Sequence, residues 1–179
     1  MIDLGASWIA RRDRVKAILL WTFLSILSIA DAADDVRING FDVVAGIYTL
    51  EKTETVADAT SVTGTRSQSR GGTIIKWTEY VPATRGTYFG ISFKPRGEPE
   101  GASADVLLII RFPERGITNP ATGQTAHEYR RAARITVGKE DRNGYWFEND
   151  WEAVPGDWTF EIWYQDRKLA ERVFHVYSP

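Results

Sequence analysis

The feature that most limits what this chain can become is a two-residue rhythm of apolar and polar side chains, recurring from position 41 almost to the C-terminus. Thr87, Phe89, Ile91 and Phe93 share one parity, and Tyr88, Gly90, Ser92 and Lys94 the other. Trp158, Phe160, Ile162 and Tyr164 alternate with Thr159, Glu161 and Gln165, and Tyr145, Phe147 and Trp151 with Glu148, Asp150 and Glu152. Successive side chains of a strand point to opposite faces, so this rhythm gives each strand a dry side and a wet side. No stretch shows the sustained 3.6-residue period and caps of a helix. Strands are expected near 41–55, 73–81, 87–94, 105–112, 127–137, 145–151, 158–164 and 169–176.

Within this pattern the run Val106–Ile110 is apolar on both parities, so it should form a central strand covered on both faces. Gly, Pro, Asn and Asp punctuate the runs, notably in 82–86, 95–102, 113–123, 138–144 and 155–156. Residues 56–72 are polar and read as a long loop or a weak edge strand. The clearest hairpin joins 158–164 to 169–176 through a turn at 165–168, and a parity change in its second strand places a bulge near Glu171–Val173. Seven to eight short strands with regular turns give an all-β fold, taken as an immunoglobulin-like β-sandwich, with a small closed barrel as the alternative. There is no cysteine, so packing alone must hold the fold, and thiol nucleophiles, thiolate metal sites and a lipoprotein acyl site are excluded.

The first 32 residues are of another kind. Arg11, Arg12, Arg14 and Lys16 precede a charge-free run of 14 residues, Ala17–Ala30, and Ala30-Asp31-Ala32 fits a signal-peptidase site. A spanning helix needs about 20 apolar residues. The expectation is a cleaved signal peptide over 1–32, a mobile lead-in over 33–40 and a single β-domain over 41–179, periplasmic or secreted. An uncleaved inner-membrane anchor with the domain outside the cytoplasm is the alternative. Contact with a membrane is expected only through residues 17–30, if they are retained. With a net charge of -2, the chain offers no basic face for nucleic acid or an anionic bilayer.

Catalytic signatures are weak. The two histidines, His127 and His175, have no ligand spacing around them, and Ser103 in Gly101-Ala102-Ser103-Ala104 lacks a nucleophile elbow. No catalytic residue, metal or cofactor is therefore assigned. Glu148, Asp150 and Glu152, expected on one strand face about 6–7 Å apart, give the one route to a glycan-active enzyme. Arg130, Arg131 and Arg134 make a small basic cluster, of which Arg130 and Arg134 share a face and form a candidate interaction patch, otherwise explained as solvated charge on an edge strand. Two tryptophans stand out. Trp146 falls with Glu148 and Asp150, and Trp163 with Thr159, Glu161 and Gln165, so both large rings point away from the core faces of their strands. If their strands are neighbours, Trp146, Trp163, Glu148 and Asp150 form an aromatic strip beside carboxylates, suited to a glycan or protein partner. A freely exposed indole can be truncated at a cost within about 1 kcal/mol.

Asn119-Pro120-Ala121-Thr122-Gly123, the Trp146…Trp151 segment and Pro155-Gly156-Asp157-Trp158-Thr159-Phe160-Glu161 together resemble a family of bacterial envelope proteins known only as a domain of unknown function. The ending is also similar to the closing hairpin of many bacterial immunoglobulin-like domains. The resemblance spans about residues 41–177 and implies a bacterial, exported setting, with no activity, cofactor or site to carry over. The expected function is a non-catalytic binding module of the envelope, its partner a protein or a glycan. A structural accessory protein without a small ligand is the second reading.

Overall fold

The computed structural model describes residues 36–179, except 52 and 70. The basic cluster, the apolar run 17–30 and the cleavage triplet lie outside the described residues. Thirteen strands follow one another: β1 Arg37–Tyr48, β2 Thr53–Ala57, β3 Thr65–Ser69, β4 Ile74–Trp77, β5 Tyr80–Pro82, β6 Tyr88–Glu98, β7 Ser103–Arg111, β8 Ile117–Thr118, β9 Thr125–Ala126, β10 Glu128–Thr136, β11 Asp141–Trp146, β12 Gly156–Tyr164 and β13 Arg167–Tyr177. Nine of them build two sheets, ordered β11-β6-β1-β4 and β10-β7-β12-β13-β5. The sheets face each other as a sandwich, and neither closes into a barrel. Pairing is antiparallel except between β13 and β5. Among the described residues no helix is long and apolar enough to cross a membrane.

The inner faces follow the alternation in the sequence. Phe89, Ile91 and Phe93 from β6 meet Val106, Leu108 and Ile110 from β7 and Trp158, Phe160 and Ile162 from β12, all 3% exposed or less. Phe89 lies at the centre, with ring centroids of Phe147, Trp158, Phe160 and Phe174 at 5.2, 5.5, 5.6 and 5.3 Å. Each such ring contributes roughly 1.5–3 kcal/mol by leaving water. Trp158 satisfies its indole N–H on the Val154 carbonyl at 2.9 Å, which lets so large a polar-tipped ring sit fully buried.

Several boundaries differ from expectation for local reasons. Residues 37–40, expected to be mobile, open β1, because Ile38 is buried in the core. The stretch 73–81 splits into β4 and β5, which belong to opposite sheets, so the chain crosses the sandwich at Thr78-Glu79. The last hairpin turns in two residues, Gln165 and Asp166 (φ 48° and 58°), and its bulge falls at Leu169, two residues earlier than the parity change suggested. Residues 56–72 supply most of a separate hairpin arm, β2 and β3, that pairs with neither main sheet.

Candidate functional site

Trp146 ends β11 opposite Tyr88, on the outer face of the first sheet, while Trp163 lies on β12, on the outer face of the second. β11 and β12 are consecutive but not neighbours, since the turn at Pro155-Gly156 carries the chain to the other sheet. The two indoles therefore do not form one strip. Trp163 donates its N–H to Glu161 Oε2 at 2.7 Å. Glu161 is 3% exposed and also pairs with Arg111 at 2.9 Å and Lys168 at 3.6 Å. This ion cluster covers the outer side of Ile109, which explains why Val106–Ile110 is apolar on both parities.

The expected carboxylate row is not a row, because β11 ends at Trp146 and Asp150–Glu152 is a turn of 3₁₀-helix. Glu148 accepts a hydrogen bond from Ser67, Asp150 is exposed, and Glu152 is buried under the Asn149 N–H at 2.6 Å and the Tyr145 hydroxyl at 3.1 Å. The arginine patch is also neutralised: Arg130 pairs with Glu128, and Arg134 lies 3.5 Å from Asp105. His175 bonds Asp157 at 2.7 Å on the surface, and Ser103 is an exposed strand residue rather than part of an elbow.

The main concavity lies elsewhere, between the hairpin arm and the β11 side of the sandwich. It is a cleft of about 480 Å³, within the range of ligand sites. The arm is fixed at its tip, where the Tyr129 hydroxyl donates to Asp58 at 2.6 Å, Asn119 Nδ2 donates to the Val62 carbonyl at 3.0 Å, and Val62 is buried. Asn119 thus gives the Asn-Pro-Ala-Thr-Gly turn a second role as a tether. At the arm's base Gly72, with φ +144°, passes so close to the Thr49 carbonyl that a Cβ would stand 2.2 Å from it, and Arg142 donates to the Gly72 carbonyl at 3.1 Å.

The cleft is polar, lined by Arg66, Arg131 and Arg142 and by Glu140, Asp141, Glu148 and Glu152. Arg142 also lies over the Tyr48 ring, 4.5 Å from its centroid, and its Nε is buried without a partner. Asn143 is 4% exposed, and its amide nitrogen likewise has no partner among the described residues. Arg131 lines the wall half-buried, with no carboxylate partner among the described residues. Burial pushes the Tyr88 hydroxyl up to about 12, an effect that the nearby Arg142 and Arg131 guanidinium groups oppose. Burial also raises the Glu152 carboxyl, against the hydrogen bonds from Asn149 and Tyr145.

Of the sequence candidates Trp146, Glu148 and Glu152 line this cleft, and Asp150, Trp163, Arg130 and Arg134 do not. Arg142, Asn143 and Tyr88 were missed, and Arg131 was noted in the basic cluster but passed over for Arg130 and Arg134. Parity offered a signal for Arg131, which shares the inward face of β10 with Tyr129 and Ile135 while Arg130 and Arg134 face out. Asn143 offered a comparable one, an amide on the same parity as Tyr145 and Phe147.

A two-sheet sandwich with a polar cleft at one edge, closed by a hairpin arm, defines an immunoglobulin-like β-domain. The chain belongs to the family described as Domain of unknown function (DUF3859), whose model matches residues 38–176. It is similar to the crystal structure of an immunoglobulin-like protein, PA1606, from Pseudomonas aeruginosa, at 26% sequence identity and a TM-score of 0.56, over 82% of this chain and 99% of that one. No curated protein matches.

Proposed function

We propose that this protein is an exported, non-catalytic binding module whose ligand seat is the cleft between the β2–β3 arm and β11, its partner being a protein or glycan of the cell envelope. The observation that carries the reading is Asn143. A buried amide without a partner costs about 1–3 kcal/mol, and this one stands on the wall of a 480 Å³ cleft beside two guanidinium groups that lack carboxylate partners. A ligand acceptor that reached this amide, which is sealed from solvent in the free protein, would recover that cost. Export follows from the signal-like pattern of residues 11–32. A non-catalytic role is supported by the engagement of the cleft carboxylates within the protein, Glu148 by Ser67 and Glu152 by Asn149 and Tyr145, while Asp150 stands apart on the surface.

The test is binding of the purified chain to arrays of cell-wall oligosaccharides and peptides, with Asn143→Leu as the variant. Asn143→Leu is expected to melt no lower than the native chain and to lose at least tenfold in affinity for any hit. Unchanged affinity in a folded Asn143→Leu protein would refute the cleft as the seat. A second reading, an accessory envelope protein with a flat surface, is favoured by Ile75, Trp77 and Tyr80, which are 62–68% exposed at the β4 and β5 edges. In that case Trp77→Ala, and not Asn143→Leu, abolishes capture of the partner.

A further inference from the structure

We propose that the cleft is a strand-shaped slot for an extended peptide segment, which adds to the free edge of β11 and presents one acidic side chain to Arg131 and Arg142. This rests on the binding reading above and deepens it by naming the class of ligand.

The shape of the slot comes from which residues line it. Residues 140–146 of the β11 side and Thr65–Ser69 of β3 all contribute, consecutively and on both parities. A cavity bounded by one face of a strand would be lined by alternate residues; one lined by every residue runs along the backbone edge. Among the described residues β3 is bonded only to β2, and β11 only to β6, so two strand edges without a partner there look into one cleft.

The register identifies the free backbone groups of β11. Phe147 N–H donates to the Thr87 carbonyl at 3.0 Å, one step beyond the β11–β6 ladder and in register with it. Antiparallel pairing alternates bonded and outward-facing residues, so the backbone of Arg142, Gly144 and Trp146 turns away from β6. The Arg142 N–H is taken by the Asp141 carboxylate at 2.6 Å. This leaves the carbonyl of Arg142 and both backbone groups of Gly144 and Trp146 for a strand laid alongside, the recognition mode of strand addition. Six residues of β11 offer about 20 Å of edge, enough for five or six residues of peptide.

Two guanidinium groups without carboxylate partners among the described residues offer a local seat for an acid, in a cleft that also carries four carboxylates. The carboxylates of the cleft already accept hydrogen bonds from the protein: Glu140 from Ser92, Asp141 from Arg142 N–H, Glu148 from Ser67, and Glu152 from Asn149 and Tyr145. Arg66 lies 3.6 Å from Asp58. Arg131 and Arg142 have no carboxylate partner among the described residues, and both line the cleft together with Tyr88. A stacked sugar fits this site less well. Arg142 already covers the Tyr48 ring, and Tyr88 lies against Gly144, its ring carbons 2.6 Å from where a Cβ would stand.

The test is selection of phage-displayed random octapeptides on the immobilised full chain, followed by synthesis of the enriched peptides. Recovered sequences are expected to share one Asp or Glu. Replacing it by Asn or Gln should weaken binding at least tenfold, and so should Arg131→Gln or Arg142→Gln, with no further loss when the two changes are combined. N-methylation of alternate peptide amides in one register should abolish binding, and in the other register leave it largely intact. Arg131→Gln removes a side chain without a partner, so its fold should survive even if Arg142→Gln misfolds. The peptide inference falls if neutral peptides bind as well, if N-methylation has no effect in either register, or if oligogalacturonate binds with Asn143 dependence while no peptide is enriched. That last outcome leaves the binding-module reading standing. If no peptide and no oligosaccharide binds, both fall.

Discussion

Tyr129→Phe isolates the arm as the movable wall of the cleft. The substitution deletes one hydroxyl, which donates to Asp58 Oδ2 at 2.6 Å and links β10 to the arm. A hydrogen bond to a charged group contributes about 1.5–3 kcal/mol. The low end applies, because Asp58 keeps the Thr60 N–H at 2.9 Å, the Thr60 hydroxyl at 2.6 Å and Arg66 at 3.6 Å. A loss of about 1.5 kcal/mol is roughly tenfold in an opening equilibrium. Amide exchange within Thr53–Ser69 should therefore accelerate about tenfold, while amides of β6 in the sandwich stay within a factor of two, since local opening of an arm need not open the core. The same bonds hold the Asp58 carboxyl below the ordinary aspartate range, although burial alone would raise it. A depressed folded pKa lends stability above the unfolded value and loses it as pH falls through the folded one. Arm protection should thus drop below about pH 4, with a smaller step in Tyr129→Phe. Acceleration under threefold in the arm, or equal acceleration in β6, would refute the reasoning.

Three further outcomes are expected. Trp163→Ala should cost about 2 kcal/mol in urea unfolding, more than a freely exposed indole implies, because it strips a donor from the buried Glu161 carboxylate; a loss under 0.5 kcal/mol would show the indole to be idle. Glu152→Gln tests a group whose folded pKa is raised by burial, so its contribution is present below the ordinary glutamate range and lost as pH rises through the folded value. The stability of Glu152→Gln relative to the native chain should therefore increase between about pH 4 and pH 8, and parallel pH profiles would contradict this. Gly144→Ala places a Cβ 2.5 Å from the Tyr88 hydroxyl and should lower stability by roughly 1–3 kcal/mol; a neutral substitution would mean that Tyr88 moves aside freely.

Much of the sandwich was legible because the inner faces are sorted by solvent, and solvent sorting leaves a period of two. Phe89, Ile91 and Phe93, or Trp158, Phe160 and Ile162, reveal both the strand and its buried side. The motifs were legible as turns and core rings, and Glu161 fits that reading once its arginine and lysine partners are placed. The cleft was hard to read because its residues come from separated segments, among them the arm, β6, the residue that follows β7, β10, β11 and the 3₁₀ turn after it, and none carries a distinctive spacing. The alternation did mark Trp146 as outward-facing. It gave no means of telling that Trp163, equally outward, spends its indole N–H on a neighbour two residues away.

What this sequence determines by itself is local: which residues alternate, where glycine and proline stop a strand, which side of each strand is dry, and that no disulfide shares the task of packing. Those properties follow from the pleat of a single strand in water. Which sheet a strand joins was decided by the tertiary structure, because that depends on which hydrogen-bonded edges meet across tens of residues. The crossing at Thr78-Glu79, the placement of β11 and β12 in opposite sheets and the arm that stands away from both sheets are all of this kind. The cleft is their product: Arg131, Arg142 and Asn143 are brought together only because one edge of each sheet opens on the same side, beneath the arm.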